Sequence, residues 1–285
     1  MASFHSVCIG FSGLTLRFLI PSPVALPREF LDLQCTDTGN VDAQYEIRLL
    51  TEPLRPESPP VYDQADITIF PTEKGWLRVY SPLTAKDGCQ VACLLCPDHH
   101  NILYYPASRW DFYAAPLRCF HLIAGEALLL KNNAFLLHSS VVLYEGRTVL
   151  FSGPSGAGKS TQANLWARHL GARVLNGDRC VVMKRDDIFY GGGSPWSGTS
   201  GIYRREQAPI AGICLVQQAL ENSLVPLGRA AFAPLFTQTI VNSWDEDFMR
   251  KLTGLFADLL VSVPVYRLNC KPNEDAVRLV RDTFY

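Results

Sequence analysis

Residues 153–160 read Gly153-Pro154-Ser155-Gly156-Ala157-Gly158-Lys159-Ser160. They fit the pattern G-x-x-x-x-G-K-[ST] at every fixed position. The apolar run Val149-Leu150-Phe151 leads in as a strand, and Ala163, Trp166, Ala167 and Leu170 follow on one helical face. Strand, glycine-rich turn and helix in that order predict an α/β fold with the turn at the carboxyl end of a strand. The glycines let backbone N–H groups turn inward around phosphate oxygens, and the helix that starts there adds its positive dipole end. Lys159 supplies a mobile charge for the β- and γ-phosphates, and the Ser160 hydroxyl is placed to ligate Mg²⁺. The cradle runs from Gly153 through Thr161.

A chain of 285 residues that is 48% hydrophobic suits one large or two small domains with ample core. The net charge of −1 gives no bulk electrostatic case for nucleic acid or an acidic membrane. No uninterrupted apolar run reaches the length of a membrane span. The start, Met1-Ala2-Ser3-Phe4-His5, lacks the basic and apolar pattern of a signal peptide. A cytoplasmic location is the expectation. The nine cysteines are odd in number and mostly in apolar surroundings, which predicts buried free thiols rather than a disulfide framework.

Residues 1–112 read as a β-rich N-terminal domain. Strand-like runs recur at 7–11, 14–19, 45–50, 67–70, 76–80 and 91–96, separated by proline-rich breaks. Residues 113–285 read as a nucleotide-binding domain. A helix is expected over about 114–131, a hairpin from strands at 134–144 and 148–151 turning at Glu145-Gly146, and a helix ending at Gly171. A strand at 174–175 delivers Asn176-Gly177-Asp178-Arg179. Another hairpin surrounds 184–187, and 191–199 reads as a flexible polar loop carrying Trp196, either a lid or stacking surface or a core anchor. A strand at 210–216, a helical region over about 229–260, a strand at 265–268 and a helix at 275–282 complete the pattern.

Phosphoryl transfer needs a cradle, a divalent metal and a group that orients or deprotonates the acceptor. Asp178 is the candidate carboxylate, because it ends the strand that follows the loop helix. It could hold Mg²⁺ or accept the proton of an attacking hydroxyl; the alternative is an Asp capping a turn. His138, on the strand paired with the loop strand, could donate a hydrogen bond near the γ-phosphate or be a half-buried structural histidine. Arg204 and Arg205 could offset transition-state charge or be a solvated pair. Cys89, Cys93, Cys96, His99 and His100 raise a zinc reading. Strand alternation weakens it, since Cys93 and Cys96 would point apart.

From His138 to about Thr199 the order of elements resembles the HPr kinase / phosphoenolpyruvate carboxykinase-like group of P-loop proteins. The residues that carry the resemblance are His138, Gly153–Ser160, Asp178-Arg179 and Ser194-Pro195-Trp196-Ser197-Gly198-Thr199. Segments 203–216 and 265–268 are similar to small bacterial HPr kinase-related proteins. In HPr kinases the matching strand carries two adjacent aspartates; here Asn176-Gly177-Asp178 keeps one, so the role of Asp178 as base or metal ligand stays open. The glycine-rich loop that grips HPr is not recognisable, which argues against HPr itself as substrate.

The resemblance and the motifs together imply a P-loop kinase core with a β-rich N-terminal domain that binds a substrate or partner. The expected activity is ATP- and Mg²⁺-dependent transfer of the γ-phosphoryl group to a hydroxyl, on Ser or Thr of a peptide or protein. A nucleotide-binding scaffold or sensor with little turnover, and a kinase of a small molecule, are the alternatives. The resemblance also implies a homo-oligomer as one possibility.

Overall fold

The structure, a computed structural model, describes residues 4–52, 54–64, 67–80, 91–108 and 116–285, with 116–118 described by backbone alone. The chain divides into two compact units. The first runs to Leu128 without Phe11–Gly13; the second takes those three residues and Leu129–Tyr285. The division thus falls at Leu128/Leu129 rather than at 112/113. The segment between the two positions is tied into the first unit: the Tyr45 hydroxyl donates to Ile123 O at 3.0 Å, and Glu126 pairs with Arg78 in the interior.

In the first unit, strands β1 (Phe4–Phe11), β2 (Leu14–Pro21), β3 (Ala43–Leu50), β4 (Tyr62–Gln64), β5 (Ile67–Thr72), β6 (Gly75–Tyr80), β7 (Val91–Leu95) and β8 (His100–Pro106) form one eight-stranded sheet. Its order is β1-β2-β3-β8-β7-β6-β5-β4, with β2, β3 and β8 mutually parallel. Alternation decides which side is buried: Leu14, Leu16, Phe18 and Ile20 on β2, and Ala43, Tyr45 and Ile47 on β3, all point inward. Helix α1 (Arg28–Leu31) covers part of it with Phe30, whose ring meets Phe18 edge-on. The helix expected over 114–131 is instead two, α2 (Pro116–Leu122) and α3 (Gly125–Lys131), broken where Ala124 adopts φ 49°. Cys93 is buried on β7, whereas Cys96 lies beyond the strand end; Cys89 is outside the described residues. Among the described residues no group of three His, Cys, Asp or Glu could hold a metal ion, so the zinc reading finds no support there.

The second unit contains β9 (Ala134–Tyr144), β10 (Arg147–Ser152), α4 (Lys159–Leu170), β11 (Arg173–Asn176), β12 (Arg179–Arg185), β13 (Ile188–Gly192), β14 (Gln207–Gln218), β15 (Ser223–Pro226), α5 (Phe232–Phe236), α6 (Glu246–Ser262), β16 (Val265–Cys270) and α7 (Glu274–Phe284). Two long strands change partners midway. The first half of β9 pairs with β12 and its second half with β10 and β11. β14 starts against β13 and continues against β10 and β16. Strands β10, β11, β14 and β16 therefore run in one direction, with β9 reversed between β10 and β11. Their carboxyl ends share one edge.

Period-two alternation feeds both faces of this sheet. Val149, Phe151, Cys214 and Val216 pack with Ala163 and Trp166 of α4 and Val277 and Val280 of α7. Leu150, Ile213 and Leu215 pack on the other side with Leu252, Phe256 and Leu259 of α6. The Glu145-Gly146 turn has positive φ at both residues (45° and 75°), as a two-residue hairpin requires. The helical region expected over 229–260 is split: residues 237–245 leave the helix, and Thr239 bridges to Leu137. Helix α6 then restarts on an Asp245 cap that accepts from Phe248 N at 2.9 Å. Asp245→Ala is expected to lower unfolding free energy by about 1 kcal/mol in a urea titration.

The segment 191–197, read from sequence as a flexible polar loop, is buried throughout, and only 198–200 are exposed. Trp196 is a core anchor: its ring meets Phe11, which belongs to the same unit, edge-on at 5.3 Å. Burial pushes the thiols of Cys119 and Cys180 up to about 12, which suits inert core cysteines. Among the described residues no helix is long and apolar enough to cross a membrane.

Candidate functional site

The site gathers where β10, β11, β14 and β16 end. Strand β10 is buried from Thr148 onward and releases the chain at Gly153 (φ 138°), and α4 begins after Gly158 (φ 107°). These backbone angles exclude ordinary side chains. Gly158 gives α4 no side-chain cap, in contrast to Asp245 at α6 and Asn273 at α7. The first-turn N–H groups of α4 are left to partners from outside the helix. Lys159, the first helical residue, is buried, and its ammonium donates to Gly153 O and Pro154 O, both at 2.9 Å. The charge is thereby held over the turn. Burial, opposed by the nearby charge of Asp178, holds the Lys159 ammonium below its ordinary value.

Ser160 and Asp178 meet at the next strand end. The Ser160 hydroxyl donates to Gly177 O at 3.3 Å, and Ser140 donates to the same carbonyl at 2.8 Å. Asp178 follows β11, and the buried Asn176 sets its turn. The Asn176 side-chain oxygen accepts from the backbone N–H groups of both Asp178 and Arg179, each at 2.8 Å, and its amide donates to Ser194 O at 3.0 Å. This is an Asx turn anchored at its far end. Removing it strands two part-buried donors. Asn176→Ala is expected to cost about 1–3 kcal/mol in unfolding free energy in a urea titration.

His138 reaches the same place from β9. It lies at the partner switch, opposite Arg179 on β12, while the following residue, Ser139, faces Ser152 on β10. Its Nε2 lies 3.1 Å from Asp178 Oδ1. On the other side Arg179 Nε lies 3.3 Å from Asp178 Oδ2. Burial alone would raise the Asp178 carboxyl. The His138 hydrogen bond and the charges of Arg179 and Lys159 outweigh that effect and hold it below the ordinary carboxylate value. Asp178 is an anion at neutral pH.

Segment 197–200 closes over this carboxylate. A Cβ on Gly198 would come within 2.7 Å of the Asp178 carboxyl, so the backbone approaches as only glycine allows. A cavity of about 260 Å³ remains, lined among others by Ser160, Asn164, Gly177, Asp178, Thr199 and Ser200. A second, of about 270 Å³, lies on the other side of the loop against Thr161, Gln162, Val216, Gln218 and Cys270.

The fold thus brings together Lys159, Ser160, Asp178 and His138. Arg204 and Arg205 are exposed, and Arg204 Nε donates to Val174 O at 3.0 Å. The guanidinium against Asp178 is that of Arg179. Arg179 and Asn176, which sequence reasoning quoted beside Asp178 without assigning either a role, are the further candidates the structure brings to the site. The Asn-x-Asp spacing, an Asx-turn signature, was the available signal.

The donor set fits a magnesium nucleotide. Ser160 and Asp178 offer hard oxygens, and Mg²⁺ is commonly held by one or two protein oxygens together with substrate phosphates rather than by an all-protein cage. The uncapped turn at 153–158 and the buried ammonium fit a polyphosphate.

No protein-family profile matches this chain, and no curated protein matches it. A solved structure it is similar to is the HPr(Ser) kinase/phosphatase from Coxiella burnetii, at 11% identity and a TM-score of 0.29, over 52% of this chain and 95% of that one.

Proposed function

We propose that this chain is an ATP-dependent phosphotransferase of the HPr kinase-like type, moving the γ-phosphoryl group to the hydroxyl of a Ser or Thr in a peptide or protein. The carrying observation is that Asp178, ionised and bracketed by His138 and Arg179, shares a cavity with Ser160 at the edge where the 153–161 turn opens. Residues 153–161 hold the polyphosphate, with Lys159 leaving its carbonyl partners for the β- and γ-phosphates. Ser160 and Asp178 are the protein oxygens available to Mg²⁺, which when bound neutralises charge on the phosphates.

The acceptor oxygen forms a bond to the γ-phosphorus as the bridging oxygen departs with ADP, and the hydroxyl proton passes to Asp178 or onward to solvent. A carboxylate held below its ordinary value is a weak base. That is sufficient here, because a loose phosphoryl-transfer transition state asks mainly for positioning and charge compensation. His138 fixes the carboxylate, and Arg179 is the cation nearest to it. The space at Asp178, about 260 Å³, is smaller than the roughly 300–1,000 Å³ of sites that enclose whole small ligands, and it suits one projecting side chain.

The test is a lysate incubated with the protein and γ-labelled ATP. Label on a Ser or Thr of a polypeptide, absent with Asp178→Asn, supports the reading. Label only on a small molecule, or none at all with nucleotide bound, contradicts it and favours the small-molecule kinase or the sensor.

A further inference from the structure

The cavity on the far side of the loop has a chemistry of its own. It lies at the carboxyl ends of β14 and β16, between Ala157, Gly158, Thr161 and Gln162 on one side and Val216, Gln218, Ala219, Cys270, Lys271 and Pro272 on the other. Its volume of about 270 Å³ falls below the roughly 300–1,000 Å³ of sites for whole drug-sized ligands, and suits one planar ring system. Gln162 is 1% exposed, and among the described residues its side-chain oxygen has no hydrogen-bond partner. Its amide nitrogen donates to the Cys270 sulfur, at 3.1 Å, and a thiol is a weak acceptor. A buried carboxamide with an unspent oxygen and a weakly engaged nitrogen is an anomaly among native interiors.

Direction along the loop decides what belongs here. Lys159 and Ser160 serve the β/γ end of a polyphosphate, and Ser160 lines the Asp178 cavity. The next residues, Thr161 and Gln162, line the second cavity, so a nucleoside end running on past Ser160 would enter it. We propose that this cavity receives the nucleobase and that Gln162 reads an exocyclic amine on it, so that adenine is preferred over guanine. The inference rests on the phosphate-cradle reading of residues 153–161. A glutamine carboxamide can accept from adenine N6–H₂ and donate to the adjacent ring nitrogen. Guanine presents a carbonyl oxygen where adenine presents that amine, and two acceptors would face each other. Ala157, Ala219 and Pro272 supply apolar walls for the ring faces.

Calorimetric titration of the full chain with magnesium tripolyphosphate, MgATP and MgGTP tests this. MgATP is expected to bind at least about tenfold tighter than either of the others, the weight of one or two hydrogen bonds plus ring burial. Gln162→Leu should reduce the ATP-over-GTP preference to near unity. Ala219→Phe, which fills the cavity from the opposite wall and leaves Gln162 in place, should bring MgATP down to the tripolyphosphate level while tripolyphosphate affinity stays unchanged. Equal binding of ATP and tripolyphosphate by the unmodified protein, a preference for GTP, or an Ala219→Phe variant that weakens all three ligands alike would overturn the assignment. Absence of tripolyphosphate binding would instead remove the phosphate-cradle reading itself.

Discussion

Asp178→Asn is expected to cut phosphoryl transfer by about 10²–10⁴-fold, the range for losing a positioned proton acceptor, while MgATP still binds. The substitution keeps the shape of the side chain and removes its charge. The neutral amide no longer accepts as an anion from His138 or offsets Arg179, 3.1 Å and 3.3 Å away. Steady-state kinetics should show a collapse in kcat with little change in the KM for nucleotide, the signature of an interaction made in the transition state. A sensor with little turnover would show neither. The same variant has a stability signature. The native carboxyl titrates below its ordinary value, so its contribution is complete above the unfolded-state value of about 3.9 and fades as pH falls through the lower native one. Asp178→Asn should flatten that part of the acid-unfolding profile.

Lys159→Met is expected to lower turnover by about 10²–10³-fold and to weaken nucleotide binding as well, because in the proposed mechanism the ammonium meets both ground-state and transition-state phosphate charge. The fold should tolerate the change. This ammonium holds two loop carbonyls, Gly153 O and Pro154 O, and its charge is penalised by burial. Losing two modest hydrogen bonds while relieving a desolvated cation should leave unfolding free energy within about 1 kcal/mol of the parent. A variant that melts like the parent and still fails to transfer phosphate separates a binding role from a structural one. Lys159→Met with parental affinity and turnover would contradict the mechanism.

The sequence made the second unit more legible than the first for physical reasons. Local patterns carried the hairpin at Glu145-Gly146, the helix stop at Gly171 and the strand that delivers Asp178, because turn chemistry and period are written within a few residues. Two things were not local. The 191–197 segment reads as polar loop, yet it is buried because its backbone is paired and covered: Gly193 N donates to Glu206 O and Asn176 reaches Ser194 O. The Arg179–Asp178–His138 cluster depends on β9 changing partners at His138, a topological event that no spacing encodes. Short edge strands β4 and β15 and strand β8 escaped notice because three to seven residues with mixed polarity give little alternation. The helix at 114–131 was overextended because apolar period continues through Ala124, where the backbone turns left-handed.

The most direct measurement is a calorimetric titration of the full chain with MgATP, run beside Lys159→Met. A polyphosphate cradle at residues 153–161 predicts saturable, single-site heat for the parent, a raised melting temperature at saturation, and a marked loss of both in the variant. Parental protein that releases no heat and melts at the same temperature with and without MgATP would contradict it.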